Sequence, residues 1–317
     1  MDGRLFTIAR DGLRCTSLFV AGDAHRCILV VGSQMDALLA TPYAHDLFDG
    51  LKESWAVAQV ELGSSRVDFG VCDHMSDADD VNAALHALTT ECKMTEVVLY
   101  GSGTGVQVVL EVLASGSQAE VVTRVVLHGG VVSPESSKHF APDATEHRVS
   151  RAQALLKENR GADMGAMKDL YDIPVTPARL RYGNTLTVQE ALWQPVLEQN
   201  EKAYKAALRG IAVPALFLLA TDASYNARAA SALPAVRSVA MKAIGLSSEA
   251  VHVELLPNTV DEHRRVLKGG GPLVVTAVQQ FLASADMRRE QRRIAAEANA
   301  VEAERQHRFD LAKAMYA

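Results

Sequence analysis

The chain has 317 residues, 48% of them hydrophobic, enough to bury a substantial core in one large domain or two smaller ones. A formal net charge of −6 and an isoelectric point near 5.9 argue against a nucleic-acid binder, which needs a concentrated positive surface. No apolar run approaches the roughly 20 residues of a membrane span, and Asp2, Arg4, Arg10 and Asp11 interrupt any secretory leader. Cys15, Cys27, Cys72 and Cys92 form no C-x-x-C pair, so they read as scattered core thiols in a cytosolic or otherwise reducing intracellular compartment.

In chain order, Leu5 to Ile8 and Ser17 to Val20 read as two strands, with Asp11-Gly12 as the hairpin signal between them. Cys27 to Val31 is a continuous apolar run ending at Gly32, which suits a strand buried on both faces of a parallel sheet. Pro42 opens a helix expected to run to about Trp55, and Ala56 to Leu62 is the next strand. Asp77 to Cys92 reads as a helix, with Val81, Leu85 and Leu88 at helical spacing. Thr95 to Tyr100 is a strand, Gly105 to Ala114 a helix, and Val121 to Leu127 another strand. Val213 to Ala220 and Val251 to Leu256 are late strands, and Val274 to Leu282 a closing helix. Strands alternating with helices predict a doubly wound, mainly parallel α/β sheet.

Two stretches stand apart. Residues 133–209 lack a clear strand but contain candidate helices at Arg151 to Arg160 and Val188 to Leu208. Such an insertion is expected to cap the C-terminal ends of the strands, where a ligand crevice normally lies. The tail, 285–317, is charged and alanine-rich, with Met287, Ile294 and Val301 seven residues apart. It reads as a solvated terminal helix or, through that thin seam, as a docking helix for a protein partner over 286–317.

The most informative run is Val97-Val98-Leu99-Tyr100-Gly101-Ser102-Gly103-Thr104-Gly105. A buried strand, a glycine turn and a helix start form the setting of the G-x-S-x-G nucleophile elbow. Gly101, Ser102, Gly103, Thr104 and Gly105 keep the glycines but put glycine at the nucleophile's position. Other segments match the same pattern. Gly32-Ser33-Gln34-Met35-Asp36-Ala37 is similar to a Gly-Gly-Leu-x-Asp-Gly loop, and Leu62-Gly63-Ser64-Ser65 to a Ser-Ser-x-x-Gly-x-Gly segment. Together with Gly101 to Gln107, which is similar to Gly-His-Ser-Thr-Gly-x-Gln, these resemble the α/β-hydrolase group of formerly unknown function that includes fungal siderophore-ester hydrolases. The resemblance covers most of residues 1–284 and implies an α/β-hydrolase fold, in which residues 133–209 would form the helical cap; the tail, read above as a C-terminal helical extension, lies outside it.

That resemblance implies a serine nucleophile, an acid after a late strand and a histidine after the last strand. The acid falls on Asp222, whereas the histidine's expected place after Pro257 holds Asp261, and His263 follows two positions late. In the oxyanion loop, Ser33 and Gln34 stand where the family has Gly-Leu. Ser102 and Thr104 flank the turn, but adjacent side chains on so tight a turn point in different directions. His128 ends a strand near the crevice and reads as a satisfied buried histidine or a ligand contact, and Tyr225 as a crevice residue. Asp73 and His74 with Asp77, Asp79 and Asp80 form a dense acidic patch, several members of which are explained by a helix N-terminus.

No metal set, nucleotide cradle or cofactor is expected. The reading is a non-catalytic α/β-hydrolase-like protein acting through protein contacts. The alternatives are a small-molecule binder that kept the crevice and a carboxylic-ester hydrolase with a rearranged site built on Ser102, His263 and Asp222.

Overall fold

An unbroken apolar run is stable only where both its faces are covered. In the computed structural model Cys27 to Val31 lies in the middle of an eight-stranded sheet and is fully buried. The structure describes residues 1–11, 14–33, 36–65, 70–72, 74–115, 119–128, 142–167, 175–179, 208, 210–220, 238, 241–242, 244–245, 250–257 and 269–315. Strands β1 (Gly3–Asp11) and β2 (Arg14–Ala21) pair antiparallel with Asp11 opposite Arg14, as the expected hairpin requires. Gly12 itself is outside the described residues. β3 (Arg26–Val31), β4 (Ala56–Val60), β5 (Glu96–Ser102), β6 (Val122–His128), β7 (Ala215–Ala220) and β8 (Val251–Leu256) follow. The spatial order is β1-β2-β4-β3-β5-β6-β7-β8, antiparallel up to β4 and parallel beyond it.

Helices cover both faces. α2 (His74–Thr90) and α3 (Gly105–Ser115) supply Val81, Leu85, Leu88, Val106, Val109 and Val112 to one large core against Leu29, Val97, Leu99 and Phe217. The opposite face carries Val57, Gln59, Tyr100 and His128, with α1 (Ala44–Leu51) on that side. α1 is shorter than expected: Tyr43 precedes it at φ +70°, and Lys52 N–H closes on Phe48 O. At the N-terminal ends of the strands, Glu96 receives both Arg26 (3.0 Å) and the buried Arg124 (3.3 Å), and Arg26 lies 4.0 Å over the Trp55 ring.

Within the insertion, α4 (Pro142–Lys157) starts earlier than the helix expected at Arg151, and the helix expected at 188–208 falls outside the described residues except for Leu208. Thr176 N–H and Oγ1 both donate to Gly70 O, at 2.9 and 3.1 Å, which ties this part of the insertion to the connection after β4. The chain divides into two compact units, Met1–Thr276 and Ala277–Ala317. α5 (Gly270–Met315) is one helix of 46 residues, so the expected closing helix and the charged tail share a single element. No helix among the described residues is long and apolar enough to cross a membrane.

Candidate functional site

The strand-turn-helix predicted from Val97 to Gln107 is present: β5 ends at Ser102, Gly103-Thr104 form the turn and α3 begins at Gly105. Gly103 sits at φ +58°, in the left-handed region where a Cβ is penalised. Its N–H donates to His128 O at 3.0 Å, and its carbonyl accepts Val106 N–H at 3.1 Å. Gly105 is required for another reason: a Cβ there would stand 2.3 Å from Val31 O, so only glycine lets α3 start against the end of β3. The strand, turn and helix start expected of a nucleophile elbow are thus present, with glycine at the apex of the turn.

The backbone N–H that follows the turn's apex is also engaged. In this architecture one oxyanion donor is the backbone N–H of the residue after the nucleophile, here Thr104. Thr104 N–H donates to Ser33 Oγ at 3.2 Å, and the same hydroxyl donates to Ser102 O at 3.0 Å. Ser33 N–H in turn donates to Asp36 Oδ2 at 2.8 Å, while Asp36 N–H donates to Ser33 O at 3.0 Å. Ser33 Oγ therefore takes up the acceptor position in front of Thr104 N–H. Gln34 lies outside the described residues, as do Asp222, Tyr225 and His263, so the expected acid and displaced histidine have no described position. The loop beyond Asp36 is braced from below by buried Gln59, whose Oε1 accepts Leu39 N–H (2.7 Å) and whose Nε2 donates to Ala37 O (3.2 Å) and Thr41 Oγ1 (2.7 Å).

His128 is a buried and bonded histidine. Its Nδ1 meets the Tyr100 hydroxyl, and its ring packs on Tyr43 with centroids 4.8 Å apart. Burial lowers its pKa from the ordinary 6.5 to about 4, leaving it neutral at physiological pH. Burial pushes the Tyr100 phenol well above its usual value, with Tyr43 and Asp46 adding to the effect. The Cys27 thiol is likewise driven up by burial, so it is an inert core residue.

The acidic group at the start of α2 has a different task from the one its sequence suggests. Asp77 accepts Ser64 N–H (3.0 Å) and Ser64 Oγ (2.6 Å), and Asp80 accepts Gly63 N–H (2.8 Å). Both carboxylates are buried and hold the turn after β4. Sequence reasoning missed Ser33's double hydrogen bond, Gln59 and Tyr100. A lone glutamine in the otherwise apolar Ala56–Val60 was the available signal for the brace. Among the described residues no group of three or more His, Cys, Asp or Glu is placed to hold a metal.

The model of a family described as "Protein of unknown function (DUF1749)" matches residues 13–182. A solved structure described as an alpha/beta hydrolase fold protein of unknown function is 36% identical, covering 92% of this chain and 98% of that one, with a TM-score of 0.75. The siderophore hydrolase EstB from Aspergillus fumigatus is 15% identical over 90% of this chain and 98% of its own, at TM-score 0.62. A soluble variant of monoglyceride lipase from Saccharomyces cerevisiae, in complex with a substrate analogue, is 14% identical over 90% and 95%, at TM-score 0.59. The last two likenesses bear on the fold alone. No curated protein matches the chain in sequence.

Proposed function

Since the chain belongs to the family of unknown function DUF1749 and carries the α/β-hydrolase fold, we propose that it is a non-catalytic member of that fold, acting as a structural or protein-interaction component. The observation that carries this reading is Gly103 at φ +58°, which keeps the elbow's backbone and lacks the nucleophile. Ser33 supports it, because the Thr104 N–H that would stabilise an oxyanion is already satisfied. The interaction role is assigned to the tail 286–317, where Met287 and Ile294 are exposed on a charged surface.

The test is intact-mass analysis after exposure to a fluorophosphonate serine probe, with peptide mapping of any adduct. The wild-type protein is expected to remain unlabelled. An adduct on Ser102 or Thr104 overturns the reading and favours the second one, a carboxylic-ester hydrolase with a relocated nucleophile. That second reading has one observation in its favour: Ser102 lies directly beside His128 across the β5–β6 ladder.

A further inference from the structure

From Arg289 to Ala303 every described side chain of α5 is exposed. A helix in a protein draws most of its stability from a packed apolar face, and this stretch shows none among its described residues. Its sequence nevertheless carries a seam. Met287, Gln291, Ile294, Ala298, Val301 and Arg305 follow one another in alternating steps of four and three residues, the spacing of the a and d positions of a two-helix coiled coil.

The polar members of the seam decide what can cover it, because polar residues at such positions set orientation and register. A parallel second copy would set Gln291 against Gln291 and Arg305 against Arg305. An antiparallel copy centred on Ala296 sets Gln291 against Val301, Ile294 against Ala298, and the long stem of Arg305 against Met287.

The charges favour the same orientation. Arg288, Arg289, Arg292 and Arg293 stand before Ile294, whereas Glu297, Glu302 and Glu304 stand after it. Antiparallel pairing lays the basic stretch of each copy along the acidic stretch of the other, with Arg288 beside Glu302 on one flank. On the other flank Glu290 and Glu297 meet acidic counterparts, a repulsion reduced by Arg293 of their own helix, which pairs with both.

We propose that residues 287–305 pair antiparallel with the same residues of a second copy of this chain, making the protein a homodimer through its tail. The proposal rests on the interaction role given to the tail and names the partner.

Sedimentation equilibrium of the full-length protein tests it, from about 1 μM to about 500 μM, a range that covers the affinity of a short interface. The expected result is a monomer–dimer equilibrium that truncation after Ser284 or Ile294→Lys abolishes. Arg288→Glu should weaken it about threefold to tenfold, and adding Glu302→Arg should restore it. Arg288 also donates to Ser284 Oγ at 3.2 Å; that bond is absent from both variants, so only pairing between copies accounts for the restoration. Orientation is read by oxidative cross-linking, with the wild-type protein as control for its own cysteines. Ala295→Cys should cross-link to itself, and Met287→Cys only to Arg305→Cys. A monomer across the range, or a dimer that survives truncation, overturns the pairing. Self-cross-linking of Met287→Cys, or no restoration by the double reversal, overturns the antiparallel register. A monomeric full-length chain that still loses another protein on truncation overturns this pairing and leaves the tail its interaction role.

Discussion

The hydroxyl of Ser33 does at the residue scale what a bound substrate would do in a working hydrolase: it accepts from Thr104 N–H. It also donates to Ser102 O, so Ser33→Ala removes a partner from each of two buried backbone groups. The expected loss of folding stability is about 1–3 kcal/mol, read from urea unfolding; an unchanged midpoint and slope would show that the contact contributes nothing. Gly103→Ser places a Cβ at φ +58°, which costs about 1–2 kcal/mol. Thermal unfolding should register it as a fall of about 2–4 °C per kcal/mol, and a neutral or stabilising result refutes the strain argument. His128 makes stability depend on pH. Its folded pKa of about 4 lies below the ordinary 6.5, so between these values protons bind the unfolded chain and not the native one. The contribution is complete above the upper value and is lost as pH falls through the window, by about 2 kcal/mol between pH 7 and pH 5. His128→Gln should remove that component of the slope when unfolding free energies are compared at the two pH values. The glycine at 103 was legible from the sequence because the flanking pattern is so specific. Ser33 was legible only as a departure, since its partners come from a strand end and a turn about seventy residues away.

Among the elements, the strands followed their sequence closely and the connections did not. Cys27–Val31 and Val97–Tyr100 are apolar throughout because both faces of the sheet are covered, so hydropathy alone marks them. The helix expected from Pro42 to Trp55 ends at Leu51; beyond it Ser54 N–H and Trp55 N–H share Leu51 O as acceptor (2.9 Å each), a last tight turn before β4. Asp77 and Asp80 suggested a helix dipole, but tertiary contacts with Gly63 and Ser64 decide their place. The Gln59 brace is of the same kind: one buried amide holds a loop from Ala37 to Thr41 that includes Leu39 at φ +65°. Gln59→Leu keeps the volume and abandons all three bonds. We expect it to destabilise the fold by about 2 kcal/mol and to raise amide hydrogen exchange at Leu39 specifically. Exchange spread evenly over the sheet would mean that Gln59 acts only through packing.

The whole molecule divides its sequence between two kinds of surface. The body, Met1–Thr276, follows hydropathy periods that a sheet with helices on both faces demands. The unit Ala277–Ala317 shows exposed Met287 (62%) and Ile294 (54%), with Arg293 paired to Glu290 and Glu297 along the helix. Such pairs contribute only a few tenths of a kcal/mol each and are weakened by salt. Truncation after Ser284 should therefore change the stability of the body by no more than about 0.5 kcal/mol, measured by denaturant unfolding, while abolishing co-purification with any partner that the full chain retains. A partner that stays with the truncated chain removes the tail from the interaction role. The Ser33 contact also bears on what it would take to build a hydrolytic site on this turn. A hydroxyl at position 103 alone would leave Thr104 N–H engaged by Ser33 Oγ. On the non-catalytic reading proposed above, turnover would therefore need positions 33 and 103 to change together, and the change at 103 meets the strain of φ +58°.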